Sequence, residues 1–140
     1  MSNISAAQVK ELREKTGLGL MDCKKALEDA EGNMDKAIEE LRKTSGVKAS
    51  KKSGRSAADG LIAIKNIEDQ IFMIEVNCET DFVARDDSFV EFTSQTLKSY
   101  SENPDKTLQE LMDDGIEDNR EKIVQKLGEN IVVRRVAKTD

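Results

Sequence analysis

Leu61-Ile-Ala-Ile-Lys-Asn-Ile67, then Glu68-Asp69-Gln70, then Ile71-Phe-Met-Ile-Glu-Val-Asn-Cys78: the reading of this stretch decides the fold. Two runs rich in β-branched and aromatic residues flank three polar ones, which is the pattern of a hairpin. In the second run Phe72, Ile74, Val76 and Cys78 fall on one side, and Met73, Glu75 and Asn77 on the other. Successive strand residues point to opposite faces, so one face is covered and the other wetter. The covering layer has to come from elsewhere in the chain.

Downstream segments can supply it. Residues 79–87 lead into an expected helix near Ser88–Ser101, with Phe89, Phe92, Thr96 and Tyr100 at helical intervals and Pro104 ending it. A short turn of helix is expected over Thr107–Asp113. Asp118 and Glu121 have capping-box spacing at the start of another helix, whose Ile123 and Leu127 face the core and which Gly128 terminates. Asn130–Ala137 alternates again and reads as a third strand. Strands and helices segregated in this order indicate an α+β class, a small antiparallel three-stranded sheet packed with helices, rather than a doubly wound sheet.

Upstream the period is helical. Ser5 and Gln8 have capping-box spacing before Val9 and Leu12, and Gly17 and Gly19 stop that helix. Leu20, Cys23, Leu27 and Ala30 repeat on a second helix, which Gly32 ends. Asn33 is placed to cap a third, with Met34, Ala37, Ile38 and Leu41 as its apolar stripe. None is long enough to be stable alone, so they are expected to pack as a three-helix bundle. Lys48-Ala-Ser-Lys-Lys-Ser-Gly-Arg55 shows no period and reads as a basic linker, a solvated tether that could also meet RNA or an acidic partner. The expected organisation is a bundle over residues 1–46, a linker over 47–56 and the α+β unit over 57–140.

Composition narrows the chemistry. The absence of histidine excludes a histidine general base and any His-containing metal site. Cys23 and Cys78 lack metal-ligand spacing and are expected reduced and half-buried. Asp81, Asp86 and Asp87, with Glu79 nearby, lack the spacing and turn glycine of a calcium loop, and read as acids favoured by a helix start. No nucleophile–base pair or phosphate-cradling glycine loop is visible, so neither an enzyme nor a bound cofactor is expected. Residues 1–55 carry twelve Lys/Arg against nine Asp/Glu, whereas 56–140 carry ten against nineteen. An acidic body repels nucleic acid and favours a protein partner. No apolar run has transmembrane length and Met1–Thr16 is already charged, so the expected location is cytoplasmic, with no membrane contact.

Three stretches together resemble the elongation factor Ts family. They are Val9-Lys-Glu-Leu-Arg-Glu-Lys-Thr-Gly-Leu-Gly-Leu-Met-Asp-Cys-Lys-Lys-Ala-Leu27 with Ala37-Ile38-Glu39 and Leu41-Arg42; Ala57-Ala-Asp-Gly60 with Glu75-Val-Asn-Cys-Glu-Thr-Asp-Phe-Val-Ala84; and Gly128-Glu-Asn-Ile131 with Arg134-Arg135-Val136. They occur in family order across essentially the whole chain. The resemblance implies a ubiquitin-associated-like amino-terminal domain joined to the first core subdomain, both contacting elongation factor Tu as a guanine-nucleotide exchange factor. It implies no direct nucleotide binding by this chain.

By the same resemblance, Thr80, Asp81, Phe82 and Val83 match the segment associated with displacing Mg²⁺ from the partner's nucleotide. Arg13, Leu20 and Met21, and Leu127 with Gly128, match docking contacts. From pattern alone Phe82 also fits a hydrophobic staple beneath the following helix, Leu20 a core position and Gly128 a plain helix cap. Family members usually continue into a second core subdomain, which this chain lacks. It is therefore expected to be a fragment, or a short form with an exposed sheet edge that would allow a homodimer. Two functions stay open: nucleotide exchange, and docking on elongation factor Tu without efficient exchange.

Overall fold

Ser5 opens the first helix as its spacing predicts. The structure is a computed structural model describing residues 3–140; Met1 and Ser2, which the expected first domain includes, lie outside the described residues. At the start of α1 (Ala6–Thr16) the Ser5 hydroxyl accepts the Gln8 amide at 3.2 Å, and the Gln8 side chain accepts the Ser5 amide at 2.9 Å. Gly17 closes the helix at φ 70°, a conformation open to glycine because it has no Cβ. Helices α2 (Leu20–Asp29) and α3 (Met34–Lys52) follow, the latter capped by Asn33 on the Lys36 amide. Leu12, Leu18, Cys23, Leu27, Ala37 and Leu41 lie at the heart of the bundle core.

Leu20 is not part of that core. The turn between Gly17 and Gly19 sends Leu18 inward, at 3% exposure, and leaves Leu20 outside at 53%. The first apolar anchor on this side of the bundle is thus Leu18, in the turn, rather than Leu20 on the helix.

The second half contains β1 (Asp59–Ile67), β2 (Gln70–Cys78), α4 (Asp81–Ala84), α5 (Asp87–Glu102), α6 (Leu108–Leu111), α7 (Glu117–Leu127) and β3 (Val132–Lys138). The expected basic linker is helical as far as Lys52, because α3 runs through residues 48–52 without a break. Ser45 and Ala49, one turn apart, are both buried, and α3 packs along α7. Two small residues at this spacing let the helices approach closely without producing an apolar stripe that a sequence reading would notice.

The sheet is antiparallel, with β2 between β1 and β3. Ile67 pairs with Gln70, so the hairpin turn is Glu68-Asp69, one residue shorter than expected. Phe72, Ile74, Val76 and Cys78 face inward into one core with Phe89, Phe92, Leu97 and Tyr100 of α5, as the alternation requires. Phe72 and Tyr100 meet edge to face with centroids 5.7 Å apart. On the outer face Ile62, Ile64, Ile71 and Met73 are exposed beside a Glu75–Arg135 ion pair of 2.7 Å. Gly60, at φ 147°, presses so close to β2 that a Cβ there would stand 2.1 Å from the Val76 carbonyl oxygen.

Helical backbone runs on from α6 through Asp113, as the expected Thr107–Asp113 turn requires. It breaks at Asp114 and at Gly115, whose φ is 101°, and the chain passes directly into α7. Consequently α7 has no side-chain cap, and the expected Asp118–Glu121 box does not form. Glu121 instead lies against Gly46 of α3. Val124 is the fully buried residue of α7, with Ile123 and Leu127 packed at the core's edge. Gly128, at φ 76°, ends the helix as predicted.

Candidate functional site

Thr80 starts α4 by accepting the Val83 amide on its hydroxyl at 3.3 Å. The turn is then held by backbone bonds from the Ala84 amide to the Thr80 carbonyl (3.2 Å) and from the Asp86 amide to the Val83 carbonyl (3.0 Å). Ala84 is buried and Val83 packs against the core. With residues about 100° apart around a helix, seating 83 and 84 inward turns residue 82 outward.

Phe82 is 81% exposed, more than any other large apolar side chain among the described residues. It does not staple α5, whose own Phe89 and Phe92 are buried at 0% and 4%. Burying such a ring is worth roughly 1.5–3 kcal/mol, which the fold forgoes here. The stability of this chain gives no reason for a phenylalanine at this position.

The acids around it serve as helix-start groups. Asp86 accepts the Ser88 amide at 2.8 Å and so caps α5. Asp81 pairs with Arg85 at 3.7 Å, with both side chains exposed. Among the described residues, no group of three or more His, Cys, Asp or Glu is gathered as a metal site. Cys23 and Cys78 are both free and fully buried rather than half-buried. The Cys78 thiol donates to the Thr80 carbonyl at 3.1 Å, and burial pushes its pKa up to about 11, so it stays protonated.

Two carboxylates brace the segment from behind: Glu79, which the sequence suggested only as one of the acids near a helix start, and Glu129, to which it gave no role. Glu129 accepts the backbone amides of Glu79 (3.1 Å) and Thr80 (3.0 Å) and the Thr80 hydroxyl (2.7 Å). Glu79 in turn accepts the Asn130 amide at 2.9 Å. Asn130 donates its side-chain amide to the Arg55 carbonyl at 2.8 Å. Both glutamates lie within family-like stretches, Glu79 in residues 75–84 and Glu129 in residues 128–131, which was the one hint of this arrangement.

A second region gathers part of the expected docking set. Arg13 and Leu20 line an open cleft of about 480 Å³ together with Lys10, Leu18 and, from α7, Lys126. The Lys126 ammonium also donates to the Ser88 hydroxyl at 2.7 Å, linking this cleft to the start of α5. Lys126 carried no signal in the sequence beyond its neighbours Leu127 and Gly128. Leu127 is half-buried against the core at the end of its helix, and the Gly128 carbonyl beside it accepts Arg55 at 3.4 Å. Met21 stands free at 70% exposure. Neither Met21 nor Thr80–Val83 is part of the cleft lining.

Comparison with known proteins places relatives beside this geometry. The family model described as elongation factor TS matches residues 79–140. Elongation factor Ts of Marinobacter nauticus is 54% identical over 142 residues, covering 100% of this chain and 49% of the relative. The Hahella chejuensis protein of the same name is 52% identical over 139 residues, covering 98% and 49%. That of Arthrospira platensis is 49% identical over 145 residues, covering 98% and 59%. The chain thus spans about half the length of the curated relatives it matches.

Proposed function

The chain belongs to the elongation factor Ts family, and from that premise we propose that it acts in translation elongation, docking on elongation factor Tu and promoting release of its GDP. A guanine nucleotide is held largely by Mg²⁺ and by backbone amides around its phosphates. A factor that shifts those elements slightly need not touch the nucleotide. An apolar ring pressed between packed side chains drives them toward an alternative arrangement, because cores switch rather than deform smoothly. Phe82 is the wedge in this reading, with Thr80 and Val83 fixing its base. Asp81 brings negative charge beside the ion's ligands. Exchange then follows from tighter binding to the nucleotide-free partner than to the GDP-bound one, with no covalent bond made or broken.

One observation carries the reading: Phe82 is a solvent-exposed aromatic on a capped helical turn, where its own fold makes no use of it. The test is release of labelled GDP from elongation factor Tu, comparing this chain with Phe82→Ala. Acceleration that the substitution largely removes is expected. Equal acceleration by both chains would dismiss the wedge.

A second reading, docking without efficient exchange, is favoured by Leu20 and Met21, apolar side chains left outside the bundle core. Exposed methionine suits an adaptable protein-binding patch. Binding to elongation factor Tu with no change in GDP release, abolished by Met21→Lys, would support docking alone.

A further inference from the structure

We propose that Glu129 is the positioning residue for Phe82, fixing the direction of the ring through Thr80. The functional half of this inference rests on the exchange reading above; the structural half does not.

A ring with four-fifths of its surface in solvent receives almost no orientation from packing, so its direction is set by the backbone that carries it. That backbone is one helical turn, too short to hold itself. Its side-chain cap is the Thr80 hydroxyl. A hydroxyl has one proton and two lone pairs, and it rotates to suit its partners. The Thr80 hydroxyl donates its proton to the Glu129 carboxylate at 2.7 Å, which leaves a lone pair for the Val83 amide. The relay therefore runs from Val83 through Thr80 to Glu129, and the carboxylate sets its polarity.

The same carboxylate takes the amides of Glu79 and Thr80, where the chain leaves β2 and has not yet begun α4. Hydrogen bonds to an ionised acceptor are shorter and stronger than neutral ones. Glu129 is itself anchored, since it follows the left-handed Gly128 and precedes Asn130, whose amide is held by Glu79. Each of the two glutamates thus secures the backbone beside the other. Replacing Glu129 by alanine strands two amides and frees the cap, so α4 frays while the sheet and α5 persist.

The experiment exploits the absence of tryptophan from this chain. Phe82→Trp supplies a single fluorophore at the tip, and its anisotropy reads local motion with no GTPase present. Adding Glu129→Ala is expected to lower that anisotropy, with circular dichroism showing a folded chain. Glu129→Gln keeps one acceptor oxygen but loses the charge that strengthens all three bonds, and falls between. In the native Phe82 background, Glu129→Ala is expected to slow maximal GDP release by about fivefold to tenfold, the scale of one net hydrogen bond lost from the ring's support. Its affinity for the GTPase should stay within about twofold, a split that general destabilisation would not produce. Combined with Phe82→Ala it should slow release no further.

Unchanged fluorophore anisotropy in both Glu129 variants of the Phe82→Trp chain would overturn the proposal. Slower release in Phe82→Ala but not in Glu129→Ala would overturn its functional half. Lowered anisotropy with release indifferent to both substitutions would uphold the positioning and defeat the exchange reading instead.

Discussion

Ser45 of α3 donates its hydroxyl proton to the side-chain carbonyl of Gln125 on α7, eighty residues along the chain. Ser45 is 1% exposed, and the Gln125 amide reaches on toward Asp22 of α2 at 3.5 Å. This polar contact sits where the bundle meets the sheet-bearing half. Ser45→Ala leaves the Gln125 oxygen short of a donor and should lower stability by about 1–3 kcal/mol in urea titrations. The contact also ties the halves together. Probes placed in the bundle and in the sheet should therefore report one coincident transition in the native chain.

Gly60 makes the opposite demand, for the absence of a side chain. Gly60→Ala combines a positive-φ backbone with a methyl driven into the Val76 carbonyl, and neither backbone can retreat without breaking the β1–β2 pairing. A loss of roughly 2–5 kcal/mol is expected. Gly54→Ala, with open space around the added carbon, should change stability by no more than about 0.5 kcal/mol. Similar midpoints for the two variants would contradict the close approach.

Two phenylalanines seven residues apart should behave differently in the same melt. Phe89→Ala removes a fully buried ring and is expected to destabilise by about 3–5 kcal/mol. Phe82→Ala should leave stability within about 0.5 kcal/mol of the native chain, since its ring contributes little to the core. A large loss at position 82 would mean that the ring is packed in solution.

Glu121 supplies a pH signature. Burial against α3 raises its pKa above the ordinary carboxylate value, and Glu117 and Asp118 add to the shift against the opposing pull of Arg120. The folded chain therefore binds this proton more tightly than the unfolded chain, and stability falls as pH rises through the folded pKa. Glu121→Gln removes the ionised form and should stabilise at pH 7. The advantage should shrink toward about pH 4.5, where the native carboxyl is increasingly protonated. An advantage that is constant across that range would point to packing rather than charge.

Sequence legibility followed the size and spacing of side chains. The hairpin, its inward face and the aromatic stripe of α5 were readable because large apolar residues recur there at fixed periods. Caps at Ser5, Asn33 and Gly128 were readable because their chemistry is local. The continuation of α3 was not, since Ser45 and Ala49 are too small to announce a buried face. The Asp118–Glu121 pair misled because the preceding backbone was already turning when it reached α7. At the candidate site the sequence could place Phe82 on a junction but could not say whether the ring faced in or out. The inward seating of Val83 and Ala84 on the same helical turn decides that. Glu129 stayed invisible because its partners lie fifty residues upstream.

One helix of nineteen residues serves both cores, contributing Ala37 and Leu41 to the first and Ala49 to the second. The molecule therefore has no joint at that point: α3 acts as a strut, and whatever fixes the orientation of the bundle fixes that of the sheet-bearing half as well.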